Sequence, residues 1–328
     1  MRHLAIPTST MCSVIASPTT RLLLTTVACL SLLLAACGST TNDPAVPVDK
    51  PVGVQIEAPR VTLVDAGSAP HTMLRYRDID TGDHKVSVTI TDAFTPTVGT
   101  AADTNDTPAL DPQSPTTFTS ALVTRTRKAE NSETSSRSVT AELDDHPKLT
   151  GARAKEDLAS AHGFTFGWFG NDAGTISSVN FTAPTGASDQ TRALTEQFLT
   201  TMVGLPVVFP TKPVGVGGSW TVESRITGQT PLLQTITYTV TGMAGDKVDL
   251  KTSVEQRPTL GSLDMDDGAK LAVLSSKTVS EGSLTMDLTR PLPTAGSVAL
   301  TTRIVYGTED SEHRVIQDTS TKVAFDAQ

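Results

Sequence analysis

The sequence predicts a mainly β fold: an antiparallel sheet, curved or shaped as a half-barrel, with one covering α-helix at about residues 188–203. Three features point there. Apolar and polar residues alternate with period two in six short stretches, as half-buried strands require. Turn residues such as Gly245-Asp246 separate these stretches, which favours hairpins and antiparallel neighbours over a parallel α/β sheet. Only one long stretch carries the 3.6-residue period of an amphipathic helix.

The N-terminal residues give an address. Arg21 precedes the apolar run Leu22 to Ala36, which ends Leu34-Ala35-Ala36-Cys37, a small-residue cleavage site followed directly by cysteine. This is the pattern of a lipobox. The thiol of Cys37 takes a diacylglycerol as a thioether, the signal peptide 1–36 is cut away, and the new amino group accepts a palmitate-type acyl chain. The run is short for a membrane span, and more than one acyl chain makes a stable anchor. The expected location is the extracytoplasmic side of a bacterial cell membrane, with Met11 as a second candidate start. Cys12 and Cys29 leave with the signal, so lipid consumes the one remaining thiol and the fold must rest on its core.

Residues 37–60 carry Pro44, Pro47, Pro51 and Pro59 among small polar residues, the composition of a flexible linker. Such a linker would hold a domain about 70 Å from the bilayer at about 3 Å per residue. Cleavage removes only Arg2 and Arg21 from the charged residues and takes the net charge from −9 to about −11, which opposes nucleic acid as a partner.

Residues 61–328 form the expected β-rich domain. Its strands are marked by Val86, Val88 and Ile90; by Ile236, Tyr238 and Val240; by Val248, Leu250, Thr252 and Val254; by Leu284, Met286 and Leu288; by Val298, Leu300 and Ile304; and by Val323 and Phe325. Thr81-Gly82-Asp83 and Gly245-Asp246 are expected as hairpin turns, Thr97 to Pro115 as a loop, and Ala152 to Ala161 as a short helix. Stretches near 85–94, 118–128 and 136–143 echo those near 220–228, 232–242 and 247–256. Two similar half-sheets would follow, although any threonine-rich β chain echoes itself.

In the helix, Ser188 is the N-cap and Asp189 places negative charge in the first turn. Leu194, Phe198, Met202 and Leu205 fall on one face. Gly204 suits a left-handed stop, and Pro206 cannot continue the helix. Phe209-Pro210 and Pro213-Val214-Gly215-Val216-Gly217-Gly218 then force an extended, turning path into a strand at Trp220.

This succession resembles a family of bacterial, largely actinobacterial, lipoproteins known only as a domain of unknown function. The shared pieces are Gly174-Thr175-Ile176 to Phe181, the helix, Phe209-Pro210, Pro213 to Gly217, and Trp220, with Leu74-Arg75-Tyr76 and Gly82-Asp83 as an earlier hairpin. The polar stretch between Thr95 and Thr117 departs from the pattern. The resemblance implies a secreted lipoprotein with a β-rich domain, and brings no activity, cofactor or catalytic residue.

Residues that could carry chemistry are few. Asp78, Asp80 and Asp83 alternate like a calcium loop, but Gly82 sits one place early and Thr89 stands where a bidentate Glu is needed, so a hairpin turn explains them better. Asp264, Asp266, Asp267 and Gly268 are expected as a solvated loop. Histidines 3, 71, 84, 146, 162 and 313 have no metal spacing, and Gly217-Gly218-Ser219-Trp220 is no nucleophile elbow. No motif asks for a metal or cofactor. Phe164, Phe166, Trp168 and Phe169 concentrate aromatics in six residues, and three of them alternate onto one face. With Leu194, Phe198 and Met202 they are the candidate lining of an apolar pocket, against the plainer reading of core.

The expectation is a non-enzymatic, membrane-anchored envelope protein binding an apolar ligand such as a lipid, or a protein partner. The alternatives are a hydrolase using Asp264 or Asp266 as acid and base, and a structural surface scaffold. Half-barrel lipid carriers are similar in outline, an analogy of fold alone. A packed interior would count against a carrier.

Overall fold

The structure, a computed structural model, describes residues 48–101, 107–130, 134–143, 147–156, 158–226, 231–264, 270–308 and 311–328, with the side chains of residues 263 and 264 outside that description. Among the described residues the one α-helix is α1 (Asp189–Val203). The strands are β1 (Val52–Gln55), β2 (Arg60–Asp65), β3 (Asp83–Thr100), β4 (Thr116–Lys128), β5 (Arg137–Leu143), β6 (Lys148–Gly151), β7 (Thr165–Gly170), β8 (Ile176–Thr182), β9 (Ser219–Ile226), β10 (Leu232–Ala244), β11 (Lys247–Pro258), β12 (Ser262–Asp264), β13 (Lys270–Asp287), β14 (Ala295–Gly307) and β15 (His313–Ala327). Among the described residues no helix is long and apolar enough to cross a membrane.

All fifteen strands belong to one antiparallel sheet, ordered β1-β8-β7-β5-β4-β3-β15-β14-β13-β11-β10-β9-β2, with β6 added to β4 and β12 to β13. The connectivity dictates its curvature. Laid flat, the end strands β1 and β2 would stand about 58 Å apart, at about 4.8 Å per strand spacing. Only residues 56–59 join Gln55 to Arg60, a reach of about 18 Å at full stretch. The sheet must therefore roll until its two edge strands, β1 and β2, approach each other. The curved antiparallel sheet with a covering helix is thus the fold, rolled further than a half-barrel.

The period-two pattern sets which side chains fill the roll. In β4, residues 116 to 126 alternate buried and half-buried, and β11 alternates exposed and buried from Lys247 to Val254. Two clusters result. One joins α1 to β3, β4, β5, β7 and β8 through Leu194, Phe198 and Met202 on the helix and Ile90, Phe118, Leu122, Phe166 and Val179 on the strands. Phe198 stacks on Phe118 at 5.0 Å. The other lies over β9, β10, β11, β13 and β14, where Trp220, Ile236, Tyr238, Leu250 and Met286 pack under Val207, Val208 and Phe209. Leu205 and Phe325 pack against both. The triplets β3-β4-β5 and β9-β10-β11 are each consecutive neighbours, in the positions where the sequence echoes itself.

Several local expectations need correction. The α-helix is as predicted, and Ser188 Oγ accepts from Thr191 N at 3.1 Å, but Gly204 is right-handed (φ −66°) because Pro206 already stops the helix. The expected 97–115 loop is shorter, because β3 runs to Thr100 in register with β15. Pro96 is tolerated inside β3 because pairing with β4 ends at Asp92, which leaves that side open. Among the described residues of the expected 152–161 helix, only Ala159–Ala161 are helical, as a single 3-10 turn. Gly82-Asp83 makes no hairpin: β3 starts at Asp83, and the preceding β2 lies at the far edge beside β9. Gly245-Asp246 does turn β10 into β11, with Ala244 opposite Lys247 and Gly245 at φ 61°.

The predicted linker is also shorter. Val48 bridges to Pro184, Asp49 N donates to Ala183 O at 2.9 Å, the Asp49 carboxylate pairs with Arg192 at 2.5 Å, and β1 adds to β8. Residues 48–59 are thus part of the fold, although their composition reads as linker.

Candidate functional site: the junction of the two cores

Between α1 and β9 the chain has to cross the whole roll, from β8 near one edge to β9 near the other. It does so as an extended segment inside the second core, where backbone carbonyls need partners. Side chains supply them. Gln234 Nε2 donates to Gly204 O at 2.7 Å, Tyr238 Oη to Pro206 O at 2.8 Å, Trp220 Nε1 to Val208 O at 2.7 Å, and Arg75 Nη1 to Pro210 O at 2.9 Å. Pro206 and Pro210 have no N–H to satisfy, and Phe209 N donates to Ala173 O at 2.8 Å. Burial pushes the Tyr238 hydroxyl far up, so it stays a neutral donor.

The glycine-rich motif that follows packs backbone on backbone. Gly215 N donates to Ala66 O at 2.8 Å, Ser68 N to Val216 O at 2.8 Å, and Thr72 and Val214 exchange both bonds. A Cβ on Gly215 would fall 1.8 Å from Ser68 O, so only glycine fits.

Where the two cores meet there is a cavity of about 50 Å³, lined by Trp168, Met202, Leu205, Val207, Leu292 and Phe325 among others. Arg137 and Tyr76 also reach it. Ligand pockets measure about 300–1,000 Å³, so this space holds a few waters at most. Of the predicted apolar lining, Trp168 and Met202 are at the cavity. Phe164, Phe166, Leu194 and Phe198 are no more than 1% exposed and belong to the first core.

Beside the cavity lies a buried ion pair absent from the sequence reading. Asp78 is 0% and Arg137 2% exposed. Arg137 Nε donates to Asp78 Oδ1 at 2.7 Å and Nη2 to Oδ2 at 2.5 Å, a bidentate fork, while Thr126 Oγ1 donates to Oδ2 at 2.7 Å. Arg137 Nη1 reaches Asn171 O at 3.3 Å, and the guanidinium lies 4.1 Å from the Tyr76 ring centroid. Burial pushes the Tyr76 hydroxyl well up; the positive charge of Arg137 opposes that and Asp78 adds to it. The group ties the irregular 74–80 segment to β4 and β5.

The Asp78-Asp80-Asp83 stretch is therefore neither a calcium loop nor a hairpin. Each carboxylate meets its own arginine: Asp78 with Arg137, Asp80 with Arg127 at 2.8 Å, and Asp83 with Arg125. Arg125 holds the exposed Asp83 carboxyl below the usual range. Arg125 and Arg127 stand on β4 and Arg137 on β5, and among the described residues the three carboxylates do not converge on one ion.

A signal for Arg137 existed in the sequence. It occupies the inward phase of Arg137, Val139, Ala141 and Leu143, where an arginine needs a buried partner. Asp92 was missed as well. It follows Val86, Val88 and Ile90 on the inward face of β3, takes bonds from Thr321 Oγ1 at 3.2 Å and Thr201 Oγ1 at 3.5 Å, and has its carboxyl pushed up by burial.

Asp264 ends β12, and its side chain lies outside the described residues together with Asp266, Asp267 and Gly268. Cys37 and the signal peptide also lie outside them. His84 Nε2 contacts Thr81 Oγ1 at 3.0 Å and His71 Nε2 contacts Gly67 O at 3.0 Å. Among the described residues no three His, Cys, Asp or Glu side chains come together as a metal site. Comparison with models of known protein families and with curated proteins gave no match.

Proposed function

We propose that this protein is a lipid-anchored, extracytoplasmic envelope protein without catalytic activity, which acts by presenting the outer surface of its rolled sheet to a protein partner. The observation that carries this reading is the filled interior. α1 packs against β3, β4, β5, β7 and β8, the 204–214 segment against β9, β10, β11, β13 and β14, and the cavity where these two packed halves meet measures about 50 Å³. An 18-carbon chain at about 0.8 kcal/mol per buried methylene gains from burial only where there is room for it. The lipobox Leu34-Ala35-Ala36-Cys37 supports the anchor, and the separately paired Asp78, Asp80 and Asp83 remove one carboxylate cluster that a hydrolase could have used.

A second reading, an apolar-ligand carrier, draws on the cavity walls at Trp168 and Met202. Titration of the mature chain carrying Cys37→Ser with a fluorescent fatty acid separates the two. No saturable binding is expected; saturable binding lost in Met202→Asp, with the fold retained, would replace the surface reading with the carrier. Mass analysis of the N-terminal peptide tests the anchor, with diacylglycerol and acyl mass expected on Cys37.

A further inference from the structure

Twelve large apolar side chains stand exposed among the described residues, and four of them, Val48, Val52, Val54 and Ile56, fall within nine consecutive positions. Val52 and Val54 are 62% and 48% exposed. They pair in register with Phe181 and Val179, whose side chains are buried, so Val52, Val54 and Ile56 point to the same side of the sheet as the core. Because β1 is the last strand on its edge, no further strand among the described residues covers them. The strand is held firmly: β8 pairs along its length, Ile56 N donates to Ser177 O at 2.9 Å, and Asp49 is pinned by Arg192. The result is a fixed apolar ridge along the β1 edge, four large apolar side chains within nine residues.

Its place along the chain says what covers it. Residues 38–47 are all that separate Cys37 from Val48, a reach of about 40 Å at full stretch and less on average. The ridge is therefore the part of the domain nearest to the lipidated cysteine along the chain. We propose that the β1 edge, through Val48, Val52, Val54 and Ile56, rests in the interfacial layer of the membrane that holds the anchor. This rests on the reading of Cys37 as lipidated. Acyl chains at Cys37 supply the lasting attachment, and the ridge fixes orientation: the β1 edge faces the bilayer, and the far ends of β3 and β15, at Val98 and Val315, face away.

The test uses the full-length, processed protein in phosphatidylethanolamine and phosphatidylglycerol vesicles with acyl chains brominated near the headgroup. A single cysteine, at Val54 or at Val98, carries an environment-sensitive fluorophore; acylation leaves no other thiol in the mature chain. Expected is a blue shift and loss of emission at position 54, little change at 98, and a smaller loss for an Ile56→Cys label in a Val52→Asp, Val54→Asp background whose thermal melt matches wild type. Quenching at 98 instead of 54, or at neither while Cys37 carries its lipid mass, overturns the proposal and leaves the anchor standing. Disulfide dimers through Val54→Cys without quenching would assign the ridge to a second copy and overturn it too. Absence of lipid mass on Cys37 would overturn the anchor, and the proposal with it.

Discussion

Replacing Arg137 by Met would isolate a buried carboxylate. Asp78 is fully buried and takes three donors, two from Arg137 and one from Thr126. After the substitution only Thr126 remains, and removing one member of a buried pair costs about 3–5 kcal/mol. The loss of the guanidinium over Tyr76 and of its bond to Asn171 O acts in the same direction. For a chain of this size the melting temperature should fall on the order of 10 °C. The double variant Asp78→Leu, Arg137→Met removes both charges and should be more stable than Arg137→Met alone, since apolar replacement of a buried pair is often neutral. Thr126→Val should cost about 1 kcal/mol, the worth of one hydrogen bond. Urea unfolding of the four proteins measures all of these. A loss below about 1 kcal/mol for Arg137→Met, the value of an exposed pair, would refute the claim that the pair is dry and holds the 74–80 segment in place.

Three further outcomes follow from the same geometry. Tyr238→Phe leaves the half-buried Pro206 O without its donor and should cost about 1 kcal/mol in urea unfolding with little change in the m-value. Ser188→Ala removes the bond to Thr191 N at the start of α1 and should cost about 1 kcal/mol, measured in the same way. The Asp92 carboxyl is pushed up in the fold, so the folded chain binds its proton more tightly than the unfolded chain does. Its contribution to stability therefore falls as pH rises from the ordinary carboxylate pKa of about 4 through the raised value. Asp92→Asn should remove that decline and be the more stable protein at neutral pH; parallel wild-type and variant curves across that window would contradict the assignment.

The sequence made legible whatever depends on neighbours along the chain. The strands around Val86 to Ile90 and Val248 to Val254 form because their alternation matches the pleat, and α1 because its apolar spacing and Ser188 cap agree. What depended on distant partners was not legible. Gly82-Asp83 has hairpin chemistry, yet the strand before it is taken by β9. The aspartates of 78–83 look like a cation site until Arg125, Arg127 and Arg137 arrive from β4 and β5. Pro51 and Pro59 made 48–59 look like linker, and only the open edge of β8 gives those residues a place to dock. The rolling of the sheet could not be read locally at all, since it follows from β1 and β2, neighbours in sequence, taking opposite ends of a path of thirteen strands.

The filled interior is the claim on which the functional reading turns, and native mass spectrometry of the protein purified from its own membranes tests it most directly. After the mass of the lipid at Cys37 is subtracted, the mass of the bare polypeptide is expected, and organic extraction should release no further lipid in fixed proportion. A lipid retained at one per chain, and lost in Trp168→Asp or Met202→Asp variants that still fold, would contradict it.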